Sequence, residues 1–69
     1  MGRYVIKVYD MTSKVVYESE SSNRDTILKE YHDIILQGKH VLKEKWGNEI
    51  YGLDLEDTST GEYIQRKIF

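Results

Sequence analysis

The segment from Ser22 to Gly38 constrains this chain more than any other. Ile27, Leu28, Tyr31, Ile34 and Ile35 fall on one stripe at about 100° per residue, the signature of an amphipathic helix. Ser22 with Asp25 three residues later reads as a capping box, and Gly38 reads as the stop. Asp25 and Glu30 lie in the first half, where carboxylates favour the positive end of the helix dipole. Such a helix must bury its stripe. Almost everything else in the chain alternates with period two, so a sheet is the partner on offer. Leu36 projects away from the stripe, beside Lys29 and His32.

The alternation defines the strands. Arg3 to Asp10 places Tyr4, Ile6 and Val8 on one face and Val5, Lys7 and Tyr9 on the other. The fully apolar set belongs under the helix. Val15 to Ser19 returns as a hairpin partner after the polar Asp10–Lys14 connection, whose turn type is open. Lys39 to Trp46 reads as a third strand, because Gly47-Asn48 then suits a two-residue hairpin turn; a short helix over Val41–Trp46 is the competing reading. In Ile50 to Glu56, Tyr51, Leu53 and Leu55 point toward the helix and Ile50, Gly52, Asp54 and Glu56 away. Asp57-Thr58-Ser59-Thr60-Gly61 is a turn cluster. Glu62 to Phe69 is the last strand. It puts Arg66 on the face of Ile64 and Ile68, where it lies near an edge or needs a partner. The expected fold is a single small α+β domain over residues 1–69, in ββαβββ order, with one helix packed across one face of an antiparallel sheet.

Sixty-nine residues suffice for one domain that buries only about 60% of its unfolded surface. There are no cysteines, so disulfides and thiolate metal sites are excluded, and self-association is the stabiliser left to consider. The net charge of −2 is neither the basic field of a general DNA binder nor the dense acidity of a DNA mimic. No apolar run approaches the roughly 18 residues of a membrane span. Met1-Gly2-Arg3-Tyr4 leads directly into a strand with no signal-peptide core, and Ile6 replaces the Ser or Thr of a myristoylation motif. The expectation is a cytoplasmic protein without membrane association.

No motif carries catalysis. His32 and Asp33 are neighbours on a helix, about 100° apart, so they cannot orient each other. His40 lies beyond the helix stop. Asp54 and Glu56 share a strand face, but no pocket-forming loop accompanies them, and Asp57–Gly61 lacks calcium-loop spacing. Nucleophile-elbow, phosphate-loop and dinucleotide fingerprints are absent. The chain is expected to be a non-enzyme without cofactor or metal.

Binding remains. Six tyrosines and one tryptophan are many for this length, and such side chains are enriched at interface cores. A sheet covered on one face leaves Val5, Tyr9, Ile50, Tyr63 and Phe69 as an apolar–aromatic patch on the other, to be closed by a larger protein or a second copy. A free edge strand is a second route, since the chain has no proline to blunt one. In being compact, cysteine-free and motif-poor, the chain resembles small phage- or mobile-element-encoded regulators and inhibitors of host systems, which implies a larger protein partner. The alternative is single-stranded nucleic acid, bound through Lys39, Lys43, Lys45 and Trp46, where bases could stack on an aromatic among cations.

Overall fold

In the computed structural model, which describes residues 2–69, the chain runs β1 (Tyr4–Asp10), β2 (Val15–Ser21), α1 (Arg24–Gln37), α2 (Lys39–Trp46), β3 (Ile50–Asp57) and β4 (Glu62–Ile68). The fold class is α+β, as expected, with a four-stranded sheet in the order β2-β1-β3-β4. Every neighbouring pair is antiparallel. Ile27, Tyr31 and Ile34 of α1 and Leu42 of α2 enter the same core as Ile6, Val8, Leu53 and Leu55, so both helices cover one face. Burial of each such side chain stabilises the fold by about 1.5–3 kcal/mol.

The segment Lys39–Trp46 is a helix, not the expected strand. Leu42 and Trp46 are spaced by four, which fits one face of a helix as well as one face of a strand. Lys, Leu and Glu favour helix, and Val41 is the segment's single β-branched residue. Both ends are set by glycine. Gly38, at φ 85°, ends α1 with its N–H on the Ile35 carbonyl and presents its own carbonyl to Leu42 N–H at 3.1 Å. Gly47, at φ 73°, closes α2 by donating to the Lys43 carbonyl at 2.8 Å. The glycine expected to turn a hairpin therefore stops a helix, and the order becomes ββααββ.

The cap of α1 also sits one residue further along than expected. Asn23, not Ser22, takes the N-cap, and its Oδ1 accepts from Thr26 N–H at 3.0 Å. Glu30 fastens the helix to β2, accepting from the Tyr17 hydroxyl and the Ser19 hydroxyl, each at 2.8 Å. Trp46 stacks on Tyr17 with ring centroids 5.1 Å apart and ties the end of α2 to the same strand.

The strand ends carry their own fastenings. Asp10 Oδ1 accepts from Thr12 N–H, Thr12 Oγ1 and Lys14 N–H at 2.6–3.0 Å, which closes the β1–β2 turn with Ser13 in the left-handed region at φ 67°. At the opposite end Arg3 grips Asp57 with two bonds of 3.0 and 3.1 Å. Thr58 N–H and its hydroxyl both donate to the Arg3 carbonyl.

Candidate functional site

The helix-free face of the sheet can be assembled from the register. One row across the strands runs Val15, Tyr9, Gly52, Ile68. The next runs Glu18, Lys7, Asp54, Arg66, alternating in sign. A third runs Glu20, Val5, Glu56, Tyr63. Tyr9 and Tyr63 therefore lie on this face, as the sequence predicts. Val5 does too, but its neighbours bury it.

Ile50 and Phe69 require correction. Ile50 is 0% exposed and belongs to the core, whereas Tyr51, expected inside, is 45% exposed. A bulge causes the exchange. β1 Tyr9 faces Gly52 but Asp10 faces Ile50, so Tyr51 is the extra residue and parity inverts beyond it. Phe69 is half-buried against the core cluster rather than on the open face. A second bulge, at Ile64, shifts β4: Leu55 faces Gln65 while Glu56 faces Tyr63. Tyr63, Arg66 and Ile68 consequently share the open face, and Ile64 packs against the core.

These shifts gather a cleft of about 250 Å3 whose lining includes Tyr9, Tyr51, Gly52, Tyr63, Arg66 and Ile68. Gly52 is its floor. A Cβ there would collide with the Lys67 carbonyl, so the position tolerates no side chain, and the gap this leaves is flanked by aromatic and aliphatic walls. Tyr63 is 50% exposed and Ile68 64%. Arg66 meets the expectation that it needs a partner: its Nε donates to Asp54 Oδ1 at 3.0 Å and its guanidinium lies 4.4 Å from the Tyr63 ring centroid. Asp54 is thereby buried as half of an ion pair, and the hydrogen bond to it raises the Arg66 pKa. Burial raises the Tyr9 phenol, with the Asp54 charge adding to the effect, so this hydroxyl keeps its proton at physiological pH. The cleft thus offers apolar and hydroxyl-bearing surface beside the exposed Arg66 guanidinium, with its one buried carboxylate already satisfied.

The cationic segment is arranged differently. Lys39 and Lys43 line a shallow groove with His40 and Glu49, and Lys39 pairs with Glu49 at 3.6 Å. Lys45 Nζ lies 5.3 Å from the Trp46 ring centroid, and that ring is stacked on Tyr17. The expected segment thus divides into the Lys39–Lys43 groove and the Lys45–Trp46 pair, and the aromatic ring packs within the fold. His40 pairs with Glu44 at 3.4 Å along the helix, and His32 is exposed. Among the described residues no group of three or more His, Cys, Asp or Glu side chains could hold a metal ion. No described helix is long and apolar enough to cross a membrane.

Sequence reasoning missed Tyr51, Gly52, Arg66 and Ile68. Gly52 carried the available signal, since a glycine inside a strand pattern marks a bulge or a close backbone approach. Comparison with protein-family models, curated proteins and solved structures finds no match for this chain.

Proposed function

We propose that this chain is a non-enzymatic protein-binding module, a small intracellular regulator or inhibitor that docks the open face of its sheet onto a larger protein. The observation that carries this reading is that Tyr51, Tyr63 and Ile68, three of the seven exposed large hydrophobics among the described residues, line one cleft over the Gly52 floor. Tyrosines supply interface area at little conformational cost and keep a hydroxyl for the partner's backbone. The alternating charges of Glu18, Lys7, Asp54 and Arg66 run between the Tyr9–Ile68 row and the Val5–Tyr63 row and would supply polar contacts within the docking surface.

Single-stranded nucleic acid is the second reading, with Lys39, Lys43 and Lys45 as phosphate contacts. It is less favoured because the Trp46 ring is already stacked on Tyr17. Capture from cells by the tagged protein separates the two. A Tyr51→Ala/Tyr63→Ala variant should keep its circular dichroism and lose a captured protein that survives nuclease. Retention of that protein by the variant would refute the face assignment. Nucleic acid retained at low salt, lost steeply as salt rises and unaffected by the double substitution would favour the second reading.

A further inference from the structure

We infer that β4 is the sheet edge through which two copies of this chain pair, antiparallel and about a two-fold axis, to make one continuous eight-stranded sheet. The inference goes beyond docking onto a larger protein and stands on the sheet edges alone.

β2 and β4 are the two edges of the sheet. They differ in cover and in charge. β2 is held from above by Glu30 of α1 and by Trp46 of α2. The broad helix contacts fall on β1, β2 and β3, and every residue of β4 except Ile64 is exposed. β4 is the strand with an open edge and little cover on either face, yet it carries Tyr63, Ile64 and Ile68. An edge of this kind is a template for another strand.

The charges select the occupant. A two-fold axis sets each strand against its own reverse, so a strand accepts itself when its ends carry opposite charge. β2 has Glu18 and Glu20 on the open face and no cation within its span, so self-pairing opposes carboxylates. β4 has Glu62 at its start and Lys67 near its end. Both lie on the helix-covered side of the sheet, since Glu62 faces Asp57 and Lys67 faces Leu53. Among the described residues neither has an ion-pair partner in its own chain, whereas Arg66 is committed to Asp54. Reversing β4 onto itself brings Glu62 of each copy to Lys67 of the other, twice, and places Tyr63 against the Arg66–Ile68 end on the open face. The two clefts then lie side by side on one surface.

The test is sedimentation equilibrium of the wild-type protein, Glu62→Lys, Lys67→Glu and the double reversal, each checked for folding by circular dichroism. The wild type should reach twice the 8.2 kDa chain mass in the micromolar range. Each single reversal should weaken the dimer by about tenfold or more, and the double reversal, which restores opposite charge across the axis, should recover it. A wild type that stays monomeric at millimolar concentration overturns the inference, as do single reversals that still dimerise like wild type. Hydrogen exchange on the unmodified protein gives a check independent of the variants: amides of β4 should gain protection with concentration while those of β2 do not, and the opposite pattern overturns it. A monomer that still captures a larger protein through Tyr51 and Tyr63 would sink this pairing and leave the docking face standing.

Discussion

The exchange of Ile50 and Tyr51 provides a sharp test of the fold, because the two residues are adjacent and simple alternation assigns them the opposite way. Ile50 is fully buried, so Ile50→Ala removes three buried carbons and leaves a cavity under α2 and the sheet. Such truncations cost about 2–5 kcal/mol. The protein's total stability, scaled from its 69 residues, is about 3–10 kcal/mol, so the loss is a large share of the whole. Unfolding entropy of about 2.1 cal/mol/K per residue makes a 3 kcal/mol loss worth about 20 °C in Tm. Ile50→Val keeps most of the volume and should cost about 0.5–1.5 kcal/mol, which keeps the measurement possible if the alanine variant is too unstable. Tyr51 is the bulged, half-exposed residue, and Tyr51→Ala should cost less than about 1 kcal/mol. Urea unfolding read by the fluorescence of Trp46, which is stacked on Tyr17, reports all three variants against wild type. If Tyr51→Ala proves the costly substitution and Ile50→Ala the mild one, the bulge is wrong, and the cleft assembled around it falls as well.

Other expectations follow from the same geometry. Burial raises the Tyr31 phenol to about 12, above an unfolded value of about 10; the stabilisation is therefore full below about pH 10 and lost as pH rises toward 12. It amounts to about 2–3 kcal/mol, and Tyr31→Phe should flatten this alkaline limb of a stability–pH curve. The Arg3 guanidinium, aided by Ser59, holds the Asp57 carboxyl down at about 2, below its unfolded value. That stabilisation is present above about pH 4 and is lost as pH falls from there toward 2, and an Arg3→Ala variant should unfold at higher pH on acid titration. Ser13→Gly relieves a left-handed residue in the β1–β2 turn and should raise stability by about 0.5 kcal/mol in urea unfolding, after the entropy of the new glycine is deducted. Gly52→Ala sets a Cβ against the Lys67 carbonyl and should disorder the β3–β4 ladder, visible as lost amide protection in β4 with β1–β2 retained.

The stripe of α1 and the Tyr4–Val8 alternation were legible in the sequence because each repeats its period several times, and together they determine which face of β1 is covered. Leu53 and Leu55 follow from the same logic. Lys39–Trp46 was not legible, since Leu42 and Trp46 satisfy both periods and Gly47-Asn48 serves a helix stop as readily as a hairpin. Simple alternation misplaces Ile50, Tyr51 and the β4 residues beyond Ile64 for a different reason. Alternation holds along a strand until a bulge adds one residue, and a single added residue moves the side chains on its far side to the other face. Two such additions, at Tyr51 and Ile64, account for the changes at Ile50, Arg66 and Ile68. Of the residues expected on the open face, Val5, Tyr9 and Tyr63 follow from period alone, although Val5 is buried there. Arg66, which alternation places near an edge or in need of a partner, has both: it lies on the edge strand β4 and pairs with Asp54 across the strand pair.

The docking face is tested most directly by placing a photo-crosslinking amino acid at Tyr63, on the cleft, and in a separate protein at Leu36, which is 81% exposed on α1 away from the sheet. Both positions are open to solvent and neither holds the core together. On irradiation in cells, the Tyr63 variant should yield a discrete adduct with one larger protein, distinct in mass from a dimer of the chain, and the Leu36 variant should not. Identical adducts from both positions, or a larger-protein adduct from Leu36 alone, would contradict the assignment of function to the open face of the sheet.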